Sequence, residues 1–514
     1  MSHARDVIVP EPSSSAPPAS QNLPRGIAVP LHAQEMAVVG VIATQLVFLP
    51  WGLAGMRPWS QWIAFGLSAF GFLLSLLPRH YVNVGEQQAS FRLYPLPRLL
   101  RFPFFWLGFA LLAQILIQAL NPAWEYRDDG VVWWIAKIAC IEWLPAGVAV
   151  PFTQWGPWRM LVIYGSVWMA VCALWIGVTR RRSLQFLFVV LAANAFLLAL
   201  FGLVQRVMKT DLMFFFWRPP ANYFVASFTY KNHAGAYFNL AFTLCVGLAL
   251  WYYERSRQRL EKSNPGSLFA FFATAVALIV VFSYSRTATV LLGALLLLFF
   301  TVFIAGYFKH AAAERSGVFT LPFMALGLIA FAAIAVMSVR TEKLFEQIDR
   351  TPEAYEADLE RGRLPVARAT WEMARDRLWL GWGAGNFRSA FPPYQARNPA
   401  IFTAGGKRVL WEHAHSDYLQ LLAELGVLGL GLIAAAAGFG LWQLRATQAL
   451  RNPFAFCVCA GLGAVAVHSI IDFNFYNPAI LTTWWVLLFA SVRWAELDPS
   501  ATTNKAGSSR SSQS

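Results

Sequence analysis

Charge is what this sequence has least of. Only 13% of its 514 residues are Asp, Glu, Lys or Arg, about half of the roughly 25% that soluble domains carry. With 57% hydrophobic and 15% aromatic residues, and a mean hydropathy of +0.48, there is too little polar surface to cover a water-facing globule. Cysteine is scarce as well. Cys140, Cys172, Cys245, Cys457 and Cys459 mostly fall inside apolar stretches, where a thiol behaves as a small hydrophobe. Cys457 and Cys459 on one helix would face different ways, so neither a disulfide scaffold nor a redox or metal centre follows. Residues Met1 to Leu31 lack the apolar core of a signal peptide and are rich in Pro and Ser, the composition of a disordered tail. What these absences leave is an all-α polytopic membrane protein.

A spanning helix needs about 20 apolar residues, and that ruler finds about twelve. They lie near Glu35–Met56, Gln61–Leu77, Phe102–Leu120, Met160–Val178, Leu184–Gln205, Ala234–Tyr253, Leu268–Tyr284, Ala288–Phe308, Thr320–Val339, Tyr418–Trp442, Phe454–Ile471 and Ala479–Trp494. Val131–Phe152 is also apolar, but Lys137, Glu142 and Pro145 interrupt it, and it reads as a re-entrant or interfacial segment.

The net charge of +14 would point to nucleic acid in a soluble protein. Here it fits loops that obey the positive-inside rule. With the N-terminus inside, the short inner loops hold fifteen basic residues and the outer ones nine. The organisation expected is a cytoplasmic tail 1–34, spans over 35–339, one large outer loop 340–417, further spans over 418–495 and a cytoplasmic tail 496–514. Within the large loop, Pro365–Leu380 has amphipathic spacing, with Val366, Trp371, Ala374 and Leu378 as its apolar face. Such a helix is expected to lie on the outer leaflet.

Unusual polar chemistry gathers on that outer side. Arg286 sits in a very short turn between two apolar helices, within Ser283-Tyr-Ser-Arg-Thr. It reads either as a snorkelling charge or as a planar donor for phosphate. His413 and His415 precede the tenth span in Trp411-Glu-His-Ala-His-Ser-Asp417-Tyr418. A pair at i, i+2 is a poor zinc signature; the alternatives are a general base near neutral pH or ordinary interfacial histidines. Ser416 or Asp417 suits the N-cap of that span, and Glu424, a carboxylate in an apolar run, is expected to pair with an arginine. Lys231, Asn232 and His233 open the sixth span after Arg206, Lys209 and Arg218, a basic and aromatic stretch able to hold phosphate and sugar or simply to form an aromatic belt. The glycine cluster Gly381-Trp-Gly-Ala-Gly385-Asn-Phe387 follows no strand, so it reads as an irregular turn and not as a dinucleotide loop. His468 and Asp472, at i, i+4, read as a structural polar pair in preference to a proton-handling one.

Five of these pieces occur in one order. They are Asn232-His233, Ser285-Arg286-Thr287, the glycine cluster in a large loop, the His-x-x-Tyr-Leu-x-x-Leu-Ala-Glu-x-Gly run from His415 to Gly426, and His468-Ser-x-x-Asp472-Phe473. Together, over about Asn222 to Ala479, they resemble the O-antigen ligase and Wzy-type polymerase superfamily. The chain departs at Ser416, where the family usually has Asn. The resemblance implies a GT-C-like inner-membrane glycosyltransferase with both termini cytoplasmic and its active site periplasmic. It would move a glycan from an undecaprenyl-diphosphate carrier to an acceptor hydroxyl, on an acceptor glycan or lipid A-core, with inversion and with neither metal nor cofactor. His415 takes the place of the base and Arg286 that of a diphosphate-binding cation. Arg218, Lys231, Asn232, His233, Asp417, Tyr418 and Glu424 are the remaining candidate contacts to diphosphate and glycan. The expected partners are the lipid-linked glycan, its acceptor and membrane lipids, and no nucleic acid. Transfer to a protein hydroxyl shares this chemistry. A transporter or lipid flippase is the rival from another class, which would show related halves and mid-membrane charges that this sequence lacks.

Overall fold

The chain alternates apolar helices with turns at two opposite levels, an arrangement imposed by hydropathy and punctuated by proline. Its structure, a computed structural model, describes residues 8–10, 31–84, 89–130, 133–219, 224–260, 263–311, 362–398, 401, 403–404, 407–408 and 410–497. The bundle helices are α1 (Ala33–Trp51), α2 (Pro58–Leu76), α3 (Pro103–Leu120), α4 (Pro157–Gly177), α5 (Arg181–Val207), α6 (Lys231–Arg259), α7 (Gly266–Phe282) and α8 (Arg286–Ala311). After α9 (Leu364–Asp376) come α10 (Asp417–Ala446), α11 (Pro453–His468) and α12 (Pro478–Glu496). Five of them begin with proline at the first turn, where its missing N–H costs nothing. Asn452 and Asn477 cap α11 and α12 by accepting from the second and third amides.

Eleven of the twelve apolar stretches read from sequence are helices. Among the described residues seven, α1 to α6 and α10, are long and apolar enough to cross a membrane, while α7, α11 and the described part of α8 are shorter apolar helices. The chain is therefore mostly helical and polytopic. The stretch Thr320–Val339 and residues 340–361 of the large loop lie outside the described residues.

Burial sorts the helices into a centre and a rim. Helices α4 and α6 are 89% and 83% buried over their apolar windows, against 33% for α2 and 28% for α3. On the rim, Phe70, Leu73, Phe109 and Leu297 are more than half exposed, a surface that only lipid can cover. At the level opposite the site described below, the buried carboxylate of Glu35 accepts from Arg79 Nη1 (3.2 Å), the amides of Thr179 and Arg180 (3.0 Å each) and Ser183 Oγ (2.6 Å). This node ties α1 to the α4–α5 turn, and it leaves no bare charge in the interior.

Three expectations change. Val131–Phe152 contributes strands where a re-entrant segment was expected: β5 (Trp133–Lys137) pairs antiparallel and β6 (Gly147–Ala149) parallel with the central β4 (Pro122–Asp128). The N-terminal tail is not wholly irregular, since β1 (Ile8–Pro10) pairs with β3 (Ala89–Leu93), which also pairs with β2 (Arg79–Val84). The amphipathic helix exists as α9, but its apolar face is used inside the protein and not on the leaflet. Val366, Ala369, Met373 and Ala374 are fully buried against Phe387, Phe391, Tyr394 and Ala423, while Trp371 faces outward, 46% exposed.

Candidate functional site

The site forms where the ends of α5, α6, α8, α10 and α11 meet. Its hub is Asp472, in the turn between α11 and α12. The carboxylate accepts from Asn232 Nδ2 at 2.5 Å and from Tyr230 OH at 3.4 Å, and its Oδ1 accepts the Phe473 amide at 2.9 Å. His415 Nδ1 lies 3.7 Å from Oδ1 and His468 Nε2 4.0 Å from Oδ2, both beyond hydrogen-bond length. Burial alone would raise the Asp472 carboxyl. The imidazoles around it, His415 foremost and then His233 and His468, hold it far below the ordinary carboxylate range, so it stays ionised at physiological pH. The pairing of His468 with Asp472 expected from their i, i+4 spacing is thus the longest contact of the hub.

Of the two histidines before α10, only one is accessible. His413 is buried, its ring stacked on Phe473 at 4.1 Å and its Nδ1 3.3 Å from Gln420 Nε2. Burial, followed by the charges of His233 and His415, lowers it to about 3, so it is a neutral packing ring. His415 is 24% exposed, with Trp411 and Phe473 edge-on at 5.6 and 5.2 Å. Its backbone is left-handed at φ 52°, a conformation that costs a non-glycine residue energy and tends to survive where geometry is functional. Ser416 is the N-cap residue of α10 but makes no side-chain capping bond. Asp417 anchors the turn instead: its amide donates to Ser469 O and Asp472 O, both at 3.0 Å, and its Oδ2 accepts the Phe475 amide at 2.9 Å. Tyr418 reaches back to Ala466 O at 2.8 Å.

Beside this hub stands a group of cations. Gly235 lets α6 touch the start of α8, since an added Cβ would sit 2.3 Å from Ala288 Cβ, and Asn239 Nδ2 donates to Ala288 O at 2.9 Å. Arg286 therefore opens α8 at the level of Lys231. Arg206, Arg286 and Arg363 are all within electrostatic reach of Lys231, and Arg363 acts on Tyr230 and His468 as well. Arg206 also lies over the Tyr284 ring at 5.5 Å. Tyr284, two residues before Arg286, has a left-handed φ of 54°. Three arginines from three elements thus act on Lys231 of a fourth, beside the helix N-termini at Lys231, Arg286 and Leu364 that add their own positive potential.

Arg363 is not among the candidates read from sequence; Arg206 enters there only as part of the basic stretch before Lys231, and Asp472 only as the partner of His468. Arg206 ends a long apolar helix, and Arg363 stands just before the amphipathic one, positions a sharper reading could have noted. Asn232 donates to Asp472, and Lys231 stands next to it at the start of α6. His233 is buried and structural, with Nε2 3.1 Å from Phe473 O and Nδ1 3.4 Å from Asn477 Nδ2. Arg218 is exposed on its loop and is not among the charges acting on Lys231.

Glu424 departs from expectation. Among the described residues no arginine meets it; its oxygens accept from the amides of Gly385 (2.6 Å) and Phe387 (3.1 Å), from Gln420 Nε2 (3.1 Å) and from Tyr476 OH. It is a clip that holds the glycine cluster onto α10 and has no lone pair left for a ligand. Two residues on, Gly426 breaks α10 at φ 67°, and a Cβ there would lie 2.3 Å from Trp379 O. Glu424→Ala should strand two buried amides and a phenol, a loss of about 3 kcal/mol or more, and Gly426→Ala should cost as much through its clash. Thermal unfolding with protease protection of the 362–398 segment checks both; unchanged protection in Glu424→Ala would remove the clip from the account.

Part of this site falls within one stretch of known likeness, while Arg206, Lys231, Asn232 and Asp472 lie outside it. Residues 269–434 match the family model for O-antigen ligase, a span that includes Arg286, Arg363, the glycine cluster, His415 and Glu424. No curated protein matches the chain. The match covers about a third of the chain and supports the resemblance of that part to the O-antigen ligase and Wzy-type polymerase superfamily.

Proposed function

We propose that the protein transfers a glycan from an undecaprenyl-diphosphate carrier to an acceptor hydroxyl, at the periplasmic face of an inner membrane. The observation that supports this most is the meeting of an accessible imidazole, backed by a buried carboxylate, with four cations on the same face of the bundle. The diphosphate would sit among Arg206, Lys231, Arg286 and Arg363. The acceptor oxygen attacks the anomeric carbon as its proton passes to His415 Nε2. The bond from that carbon to the diphosphate oxygen breaks with its electron pair, and inversion follows from the single displacement. The negative charge of Asp472, 3.7 Å from Nδ1, favours the proton on that nitrogen and leaves the Nε2 lone pair for the acceptor. The side-chain cations carry the charge that builds on the leaving group, so no metal ion is required of the step. Apolar rim helices would take the polyprenyl chain from the bilayer.

Reconstituted protein given lipid-diphosphate-linked glycan should turn over in excess EDTA. Loss of turnover on chelation, restored by added metal, rules out the metal-free step. A glycan gel of a deletion strain sorts the acceptor: unattached chains mark a ligase, and single repeat units on the core mark a polymerase.

A further inference from the structure

One aromatic ring away from His413 lies an open cavity of about 290 Å³, near the lower end of ordinary small-ligand sites. Met56 and Arg57 from the α1–α2 turn, Trp155 and Arg159 at the start of α4, and Thr229 just before Lys231 line it. Trp155 joins it to the transfer site, with its ring edge-on to His413 at 6.2 Å and to Tyr476 at 5.9 Å.

Two arginines face a lining that, among the described residues, contains no carboxylate. Arg159 is only 4% exposed and is held rigidly. Nε donates to Gln61 Oε1 (2.9 Å), Nη1 to Thr153 O (3.1 Å) and Nη2 to Met56 O (2.6 Å), and Trp155 covers the guanidinium at 3.9 Å. A guanidinium has five N–H bonds, so one on each Nη is left over. Arg57 is the adaptable partner: it is exposed, lies over Trp217 at 5.7 Å and is within electrostatic reach of Arg159. A fixed fork with spare donors, a second, exposed cation and no counter-charge among the described lining residues make a receptor for an anion.

We propose that this cavity binds an anionic substituent, a carboxylate or phosphate, on a sugar unit of the transferred or accepting glycan, and so selects acidic glycans. The inference rests on the glycan-transfer reading, and binding tests it separately from turnover. Saturation-transfer NMR titrations of the full chain in detergent would compare glucuronate, glucose 6-phosphate, glucose and inorganic phosphate. At least one acidic sugar should bind about tenfold tighter than glucose, the scale of one charge-assisted contact. The stronger of the two acidic arms identifies the anion. Arg57→Gln, an exposed change that the fold tolerates, should bring the acidic sugar down to the level of glucose, whereas His415→Ala should keep the preference. Equal binding of acidic and neutral sugars overturns the proposal, as does a preference that survives both Arg57→Gln and Arg159→Gln. Inorganic phosphate binding as tightly as the sugar phosphate overturns it too. A wild-type chain that binds acidic sugar but transfers no glycan counts against the proposed function and leaves this subsite standing.

Discussion

His415→Ala is expected to lower the rate of glycan transfer by about 10²–10⁴-fold, the usual contribution of a positioned base, with little change in stability. The ring is partly exposed and its aromatic contacts, with Trp411 and Phe473, are edge-on, so its removal opens a gap at the surface and no cavity in the core. That gap is the handle for a sharper test. Exogenous imidazole should enter it and restore part of the rate in His415→Ala. It should not rescue His413→Ala, where the lost ring was stacked in the interior on Phe473 and the damage is to packing. Asp472→Asn keeps the shape but removes the acceptor that faces Nδ1 of His415 and Nδ2 of Asn232. The wrong imidazole tautomer should then cost about 10²-fold or more. Transfer by His415→Ala within threefold of wild type would sink the base assignment.

How much of this was open to a reader of the sequence divides along a physical line. The helices were, because exclusion of water acts on each side chain where it stands: eleven apolar stretches became helices with ends shifted by a few residues. The strands of 122–149 were not, since Trp133–Lys137 becomes a strand only by pairing with Trp124–Asp128. The site shows the same division. His415 and Arg286 stood out as polar residues at helix mouths. Asp472 was read through its neighbour His468, but its stronger partner is Asn232, 240 residues earlier at 2.5 Å. Glu424 misled for another reason. A carboxylate in an apolar run asks for compensation, and the partners that supply it include the backbone amides of Gly385 and Phe387, which no side-chain letter announces. Trp371 was placed on the apolar face of α9 by spacing alone, yet the buried stripe runs through Val366, Ala369 and Met373.

Arg286→Ala should reduce transfer by about 10²–10³-fold, the loss typical of one preorganised donor to a developing oxyanion. The same change should leave the ligand-free protein as stable as wild type or more so. Arg206, Arg286 and Arg363 are like charges within reach of Lys231, and without an anion that repulsion opposes folding, while with a diphosphate among them it becomes attraction to the ligand. Removing one cation therefore relieves the empty site and weakens the filled one. Pyrophosphate offers a direct measurement, because a ligand that binds only the native state raises stability by RT ln(1 + [L]/Kd). Its stabilising effect on thermal unfolding should be clear in wild type, small in Arg286→Ala and in Arg363→Gln, and weaker at high salt for the exposed Arg286. Effects of the two substitutions should combine less than additively, since both act on one bound charge. Equal stabilisation by pyrophosphate in wild type and Arg286→Ala would mean that this arginine faces the membrane surface and that the diphosphate is held elsewhere.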